Sequence, residues 1–115
     1  MSAIIQPGPV FKENIAKLPA IDGIARIDLI DHAGTVVSIL ENVAGKHGSV
    51  AIYNYLSQAF GELDATAAKH GLLVFAEHTA DAHERPGAHP NVDRLLAIAA
   101  GGNALRCHVV RGNLS

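Results

Sequence analysis

The sequence predicts an α/β protein of the α+β type, with a small mixed sheet of about four strands and helices mainly on one face. Residues 24–30 alternate between two faces and precede a turn sequence and a β-branched run, a pattern typical of an antiparallel hairpin. Residues 72–76 are apolar throughout, which indicates a central strand. Helical patterns before and after that strand predict β-α-β-α-β crossovers between parallel strands.

Each expected element has a local cause in the sequence. Pro19 ends the first helix, and Asp31 with Gly34 suits the hairpin turn. Ser49 is a natural N-cap, and Gly71 suits the C′ position that ends a helix. The expected elements are a helix over 10–18, strands over 24–30 and 35–40, helices over 50–60 and 63–70, a strand over 72–76, a helix capped by His89 or Asn91 and running to Ala100, and a strand over 105–110.

The expected topology has a consequence for function. Loops that follow parallel strands emerge at one edge of a sheet, where open α/β sheets bind ligands. Residues 45–49, residues 77–90 and Arg111 are therefore expected to face one crevice. The chain is expected to form a single domain over residues 1–115, with residues 1–9 as a flexible arm.

The composition excludes several classes of protein. The chain is 49% hydrophobic and 17% charged, which excludes a disordered chain and favours a homo-oligomer, a dimer in particular, because so few charges cover its surface. A net charge of -2 and few aromatic residues argue against a nucleic-acid partner. We expect no membrane span and no signal peptide, and hence a cytoplasmic protein. The single cysteine, Cys107, excludes an internal disulfide and is expected to be a buried thiol.

The densest group of reactive side chains lies in residues 77–93, the histidine segment. It holds three of the seven histidines together with four carboxylates. Nitrogen and oxygen donors of this kind suit a divalent transition metal such as zinc, iron, nickel or manganese, although the spacing matches no strong metal motif. The expected metal ligands are His78, Asp81, His83 and His89, and the expected catalytic residues are Glu77, His78 and Asp81. The alternative is a solvated polar loop whose acids cap and pair locally.

A second candidate is residues 45–49, the glycine loop. Its glycines allow a close backbone approach, and Lys46 adds a positive charge before the amides of the next helix, so Gly45, Lys46, Gly48 and Ser49 are expected to hold an anion. The loop is not a Walker A motif, because Leu40 stands where that motif needs glycine. An ordinary turn with an N-cap is the alternative. Arg106, His108 and Arg111 form a weaker candidate, as a carboxylate clamp or as a plain polar strand face.

The chain also resembles a bacterial family of small cytosolic proteins, catalogued as domain of unknown function family 2322. The resemblance covers about residues 11–110 and supports a self-contained domain, but it implies no activity and no catalytic residue. It is carried by Leu18-Pro19, Ile21-Asp22, Asn42, Gly45-Lys46, Gly48-Ser49, Ala76-Glu77-His78-Thr79, Asp81-Ala82, Pro86-Gly87, His89-Pro90-Asn91 and Asp93.

Three functions are compatible with this sequence. The preferred hypothesis is a metal-binding protein, or a metal-dependent enzyme, that acts on a small anionic metabolite through the histidine segment. The second is a metal-free acid/base enzyme or small-ligand binder at the same sheet edge, with Glu77 and His78 as base and acid. The third is a non-catalytic oligomeric interaction module. Metal content and ligand-induced stabilisation would separate them.

Overall fold

A computed structural model describes residues 4–112. Within this range the chain forms five α-helices and three β-strands around one hydrophobic core. The helices are α1 (Phe11–Ile15), α2 (His47–Phe60), α3 (Ala65–Phe75), α4 (Glu77–Glu84) and α5 (Pro90–Ala99), and the strands are β1 (Ile24–Ile30), β2 (Val36–Glu41) and β3 (Arg106–Arg111).

The described sheet has the strand order β2-β1-β3, and both of its pairings are antiparallel. The predicted hairpin of β1 and β2 is confirmed. Its turn is closed by Asp31, whose Oδ1 accepts hydrogen bonds from the backbone N–H groups of Ala33 and Thr35 at 3.0 and 2.9 Å. The predicted fourth strand and the crossovers through it are not observed in residues 4–112, so the sheet is not a mixed one there.

The prediction of a strand over residues 72–76 is wrong, because α3 continues through Phe75. A five-residue apolar run fits a buried helix as well as a central strand, and only length separates the two. Asp64 caps α3 by accepting a hydrogen bond from Ala67 N at 2.9 Å, and the helix then exposes Leu73 while it buries Val74. A fully buried strand would not leave Leu73 62% exposed.

Gly71 does not end a helix but lies in the middle of α3. A methyl group at this position would lie 2.7 Å from Leu56 Cδ1 in α2 and 2.9 Å from Leu95 Cδ1 in α5. Both leucine side chains are fully buried. The glycine therefore allows α3 to approach two neighbouring helices closely, which offsets its weak helix propensity.

The predicted loop over residues 77–90 is also wrong in its first half, which forms α4. Ala76 separates α3 from α4 with a φ of 52°, a value that L-residues rarely adopt, so the chain turns sharply there. Thr79 Oγ1 donates a hydrogen bond to Leu72 O at 2.6 Å and ties the new helix to the end of α3. Pro86 and Gly87 follow α4 and leave residues 85–89 as a short loop.

The helices cover one face of the sheet. α2 packs on all three strands, and α3 packs on α2 and α5. On the opposite face, Arg26 Nε donates to Asp28 Oδ1 at 2.9 Å. The edge strand β2 exposes Val36, Val37 and Ile39, each by about half. These side chains are compatible with the predicted dimer, which stays a prediction. No helix in residues 4–112 is long and apolar enough to cross a membrane.

Residues 4–9 of the predicted flexible arm make hydrogen bonds with the body of the protein. Ile5 N donates to Tyr55 Oη at 3.0 Å. The side chain of Asn14 is fully buried, accepts from Gly8 N at 2.8 Å, and donates to Gly8 O and Val74 O at 2.9 and 3.1 Å. The N-terminal segment is thereby fixed to α3. Residues 1–3 of the predicted arm lie outside the described range.

Candidate functional site

A crevice of about 340 Å³ lies between the glycine loop, α1, the junction of α3 and α4, and the start of α5. This volume is at the small end for ligand sites in proteins, which favours a small metabolite over a large cofactor. The lining residues are Phe11, Gly45, Lys46, Gly48, Ser49, Phe75, His78, Ala88, His89, Pro90, Asn91 and Val92. The glycine loop and the histidine segment therefore both contribute to one crevice, as predicted. The crevice lies among helices and not at the edge of a parallel sheet.

The glycine loop is held in place by Asn42. Asn42 Nδ2 donates to Ile24 O at 2.8 Å, and Asn42 Oδ1 lies 2.6 Å from His47 Nδ1, which must donate because an amide oxygen only accepts. Gly45 has a φ of 85°, so a side chain there would be strained. Lys46 is the N-cap residue of α2, not Ser49 as predicted, and Ser49 lies within the first turn.

The start of α5 forms another part of the crevice wall. His89 is the N-cap residue and Pro90 occupies the first turn, which confirms one of the two predicted caps. Neither α2 nor α5 has a side-chain hydrogen bond at its N-cap. The N-termini of two helices therefore line the same cavity, and their dipoles favour an anion there, an effect that Asp93 in the first turn of α5 reduces.

The positive charge of Lys46 adds to the effect of the helix dipoles. The lining of the crevice includes Lys46, His78 and His89 and contains no aspartate or glutamate. Lys46 is exposed and forms no ion pair with any residue in the range 4–112. A cation without a nearby carboxylate is free to pair with a bound anion.

Aromatic rings form the apolar wall of the crevice. The Phe11 ring stacks on Phe75 at a centroid distance of 5.9 Å and meets His78 edge to face at 4.3 Å. A Cβ atom on Gly48 would lie 2.6 Å from Phe11 Cζ, so the glycine permits α1 to approach the start of α2. The wall can accommodate an apolar part of a ligand whose polar end faces Lys46.

Asp81 orients His89 at the rim of the crevice. Asp81 Oδ2 lies 2.6 Å from His89 Nε2, and the same carboxylate forms a two-pronged ion pair with Arg85 one turn along α4. These hydrogen bonds, first from Arg85 and then from His89, hold the pKa of Asp81 well below its ordinary value. A carboxylate that fixes one ring nitrogen of a histidine is a common arrangement in acid/base sites.

The lowered pKa of Asp81 predicts how its contribution to stability depends on pH. The folded pKa lies below the unfolded value of 3.8, so the contribution is present above that pH and is lost as the pH falls through the folded pKa. We expect Asp81→Asn to lower the melting temperature most at about pH 7 and least at about pH 3. Thermal melts of both proteins at the two pH values measure this difference, and an equal difference at both would contradict the proposed ion pairing.

Glu77, a predicted catalytic base, lies outside the crevice lining. Its Oε1 accepts a hydrogen bond from Phe11 N at 2.7 Å. Its pKa is lowered by backbone N–H groups, first its own and then that of Phe11. A weakly basic carboxylate that holds α1 against α4 fits a structural role. The carboxylate that is hydrogen-bonded to a crevice histidine is Asp81, which contacts His89, and not Glu77.

The four predicted metal ligands are not all brought together. The rings of His78 and His89 lie 5.2 Å apart between centroids, and Asp81 is bonded to His89. His83 is exposed and lines a different depression beside Pro7 and Leu73. Within residues 4–112 no group of three or more histidine, cysteine, aspartate or glutamate side chains is placed to hold a metal ion. Metal binding stays a prediction.

The third candidate of the sequence also lies elsewhere. Arg106, His108 and Arg111 are exposed on β3 and do not line the crevice. Cys107, between Arg106 and His108, is half-buried and not fully buried as predicted, and its desolvation raises the pKa of the thiol to about 12.

Sequence reasoning missed three residues of the site. Phe11 was expected only as part of a helix, and Asn91 only as a possible cap. Arg94, one turn along α5, donates from Nη1 to Asn91 Oδ1 at 2.8 Å and from Nη2 to Ser38 Oγ at 2.9 Å. The spacing of Asn91 and Arg94 on a helix was a usable signal, since side chains three residues apart share a face.

The fold and site describe an α+β protein whose helical layer builds a small, positively polarised crevice beside an aspartate–histidine pair. The chain matches the model of the family described as an uncharacterized protein conserved in bacteria, DUF2322, over residues 11–109. It belongs to that family, and the resemblance noted in the sequence is confirmed. No curated protein and no solved structure matches the chain.

Proposed function

We propose that this protein binds the oxyanion group of a small metabolite in the crevice, with His89 as the acid or base of a proton transfer. The observation that carries the proposal is the charge of the lining. Lys46 and two helix N-termini line the same cavity, and no carboxylate lies among its lining residues. Phosphoryl and carboxylate groups are the anions that such an arrangement binds.

The acid/base part of the proposal rests on the hydrogen bond between Asp81 and His89. His89 lines the crevice, whereas Asp81 lies behind it and is neutralised by Arg85. Because Asp81 engages Nε2, the ring orientation is fixed and Nδ1 is the nitrogen left for a substrate. His78 lies beside it with its ring packed on Phe11. We therefore assign the proton-transfer role to His89 and not to Glu77.

Binding of inorganic phosphate and of acetate tests the proposal. We expect isothermal titration calorimetry at low ionic strength to show saturable binding of at least one of these anions. Lys46→Ala should weaken the binding about tenfold, which corresponds to the loss of one charge-assisted hydrogen bond. Addition of salt should weaken the binding to the wild-type protein as well.

Lys69→Ala is the matched control, because it removes the same charge from an exposed position on α3 outside the crevice lining. It should leave the affinity within about twofold of that of the wild type. The proposal fails if the wild-type protein binds neither anion, or if both lysine variants weaken binding equally. The second result would mean that only the overall charge matters.

A metal-dependent role is the second candidate, and the adjacency of the His78 and His89 rings is the observation that favours it. In this case the two imidazoles would bind a divalent transition metal and the ligand anion would complete its coordination. Elemental analysis of the purified protein tests it, together with melts in the presence of a chelator. Unchanged metal content in a His78→Ala/His89→Ala variant would rule it out. Cytoplasmic localisation and dimer formation belong to the proposal in either case.

A further inference from the structure

The side chain of Arg94 is held between α5, α2 and β2. Its Nη1 donates to Asn91 Oδ1 at 2.8 Å and to Tyr53 Oη at 3.2 Å, and its Nη2 donates to Ser38 Oγ at 2.9 Å. The guanidinium also lies 5.8 Å from the centre of the Tyr53 ring. It forms no ion pair with any residue in the range 4–112.

Arg94 determines which way the amide group of Asn91 faces. A guanidinium carries only donors, so the Asn91 atom in contact with it has to be the carbonyl oxygen. The Asn91 NH₂ group is therefore turned away from Arg94. No residue in the described range accepts a hydrogen bond from Asn91 Nδ2, whereas the backbone carbonyl of Asn91 is bound by Tyr53 Oη at 2.6 Å. Asn91 itself lines the crevice.

We propose that Asn91 is a further anion-binding residue of the crevice, that its NH₂ group donates to the bound oxyanion, and that Arg94 is the positioning residue that aims it. This inference rests on the proposed function. Arg94 does not line the crevice and acts through Asn91, which lines the same cavity as Lys46 and the glycine loop. With Asn91 included, the start of α2 and the start of α5 each offer the ligand a side-chain hydrogen-bond donor, as an oxyanion requires.

The variant Asn91→Asp separates binding from stability. Its carboxylate still accepts from Arg94, now as an ion pair, and a negative charge in the first turn of α5 is favourable. The second oxygen replaces the NH₂ group and repels an anion. We expect Asn91→Asp to melt at or above the wild-type temperature and to bind inorganic phosphate at least about tenfold more weakly. Asn103→Asp, the same change at an exposed position outside the crevice, should keep wild-type affinity.

A thermodynamic cycle tests the positioning role of Arg94. Arg94→Lys should weaken phosphate binding in the wild-type background and should have no further effect on the affinity in an Asn91→Ala background. A purely structural role would give the same loss in both backgrounds.

The outcomes distinguish this inference from the proposed function. If the wild-type protein binds phosphate and Asn91→Asp binds it within about twofold of the wild type, Asn91 is not a ligand-binding residue and the proposed function stands. If the wild-type protein binds neither phosphate nor acetate, the proposed function fails and this inference fails with it. If Asn91→Asp loses affinity for phosphate while its melting temperature is unchanged, the result supports both the proposed function and the role of Asn91.

Discussion

Asn14→Ala is expected to lower the free energy of unfolding by about 3 kcal/mol, because three backbone groups lose their partner at once. The Asn14 side chain is fully buried, and its amide bonds to Gly8 N, Gly8 O and Val74 O. Alanine leaves these groups without a partner, and water can reach only the half-buried end near Gly8. For a chain of this size the melting temperature should fall by roughly 10 °C.

Chemical denaturation of Asn14→Ala and of Lys12→Ala tests this prediction. Lys12 lies on the same short helix, but its side chain is exposed and forms no hydrogen bond within the described range. Its replacement should change the free energy by no more than about 0.5 kcal/mol. If Asn14→Ala is no more destabilised than Lys12→Ala, the N-terminal segment is not fixed to α3 as described.

Gly71→Val is expected to lower the free energy of unfolding by a similar amount, about 3 kcal/mol, because it overpacks the core. The added Cβ atom would lie 2.7 Å from Leu56 Cδ1 and 2.9 Å from Leu95 Cδ1, far closer than carbon atoms normally approach. Both leucines are fully buried and have little room to move. The small gain in helix propensity on replacing glycine does not offset this conflict.

A double-mutant cycle with Leu95→Ala measures the contact directly. Leu95→Ala alone should cost about 3 kcal/mol because it leaves a cavity. The double variant Gly71→Val/Leu95→Ala should lose clearly less free energy of unfolding than the sum of the two single losses, because alanine at position 95 makes room for the valine. Additive losses would mean that α3 and α5 do not meet at Gly71. They would then reopen the prediction of a strand over residues 72–76.

The hairpin and the ends of α5 were predictable because local chemistry determines them. Alternation in β1, the Asp31 turn and Pro90 each act within a few residues. The mistaken strand has a different origin, since a run of five apolar residues is buried whether it forms a strand or a helix. Gly71 strengthened the error, because a glycine that permits close helix packing looks in the sequence like one that ends a helix.

The histidine segment shows why donor composition alone does not locate a metal site. On α4, His78 and Asp81 are three residues apart and share a face, whereas His83 is five residues from His78 and points to a different side. A loop has no helical period, so the prediction of a loop gave no reason to separate His83 from His78 and Asp81. The sequence analysis predicted that the histidine segment and the glycine loop would meet because both would follow parallel strands. In the structure they meet instead because the chain turns sharply at Ala76.

The most direct test of the central claim is to locate bound phosphate by NMR, following the backbone amide signals of the ¹⁵N-labelled protein during titration with inorganic phosphate. We predict that the largest saturable shifts occur at Gly48, Ser49 and Asn91, the residues at the two helix N-termini that line the crevice. Shifts confined to β3, or an absence of saturable shifts, would contradict the assignment of the crevice as the anion-binding site.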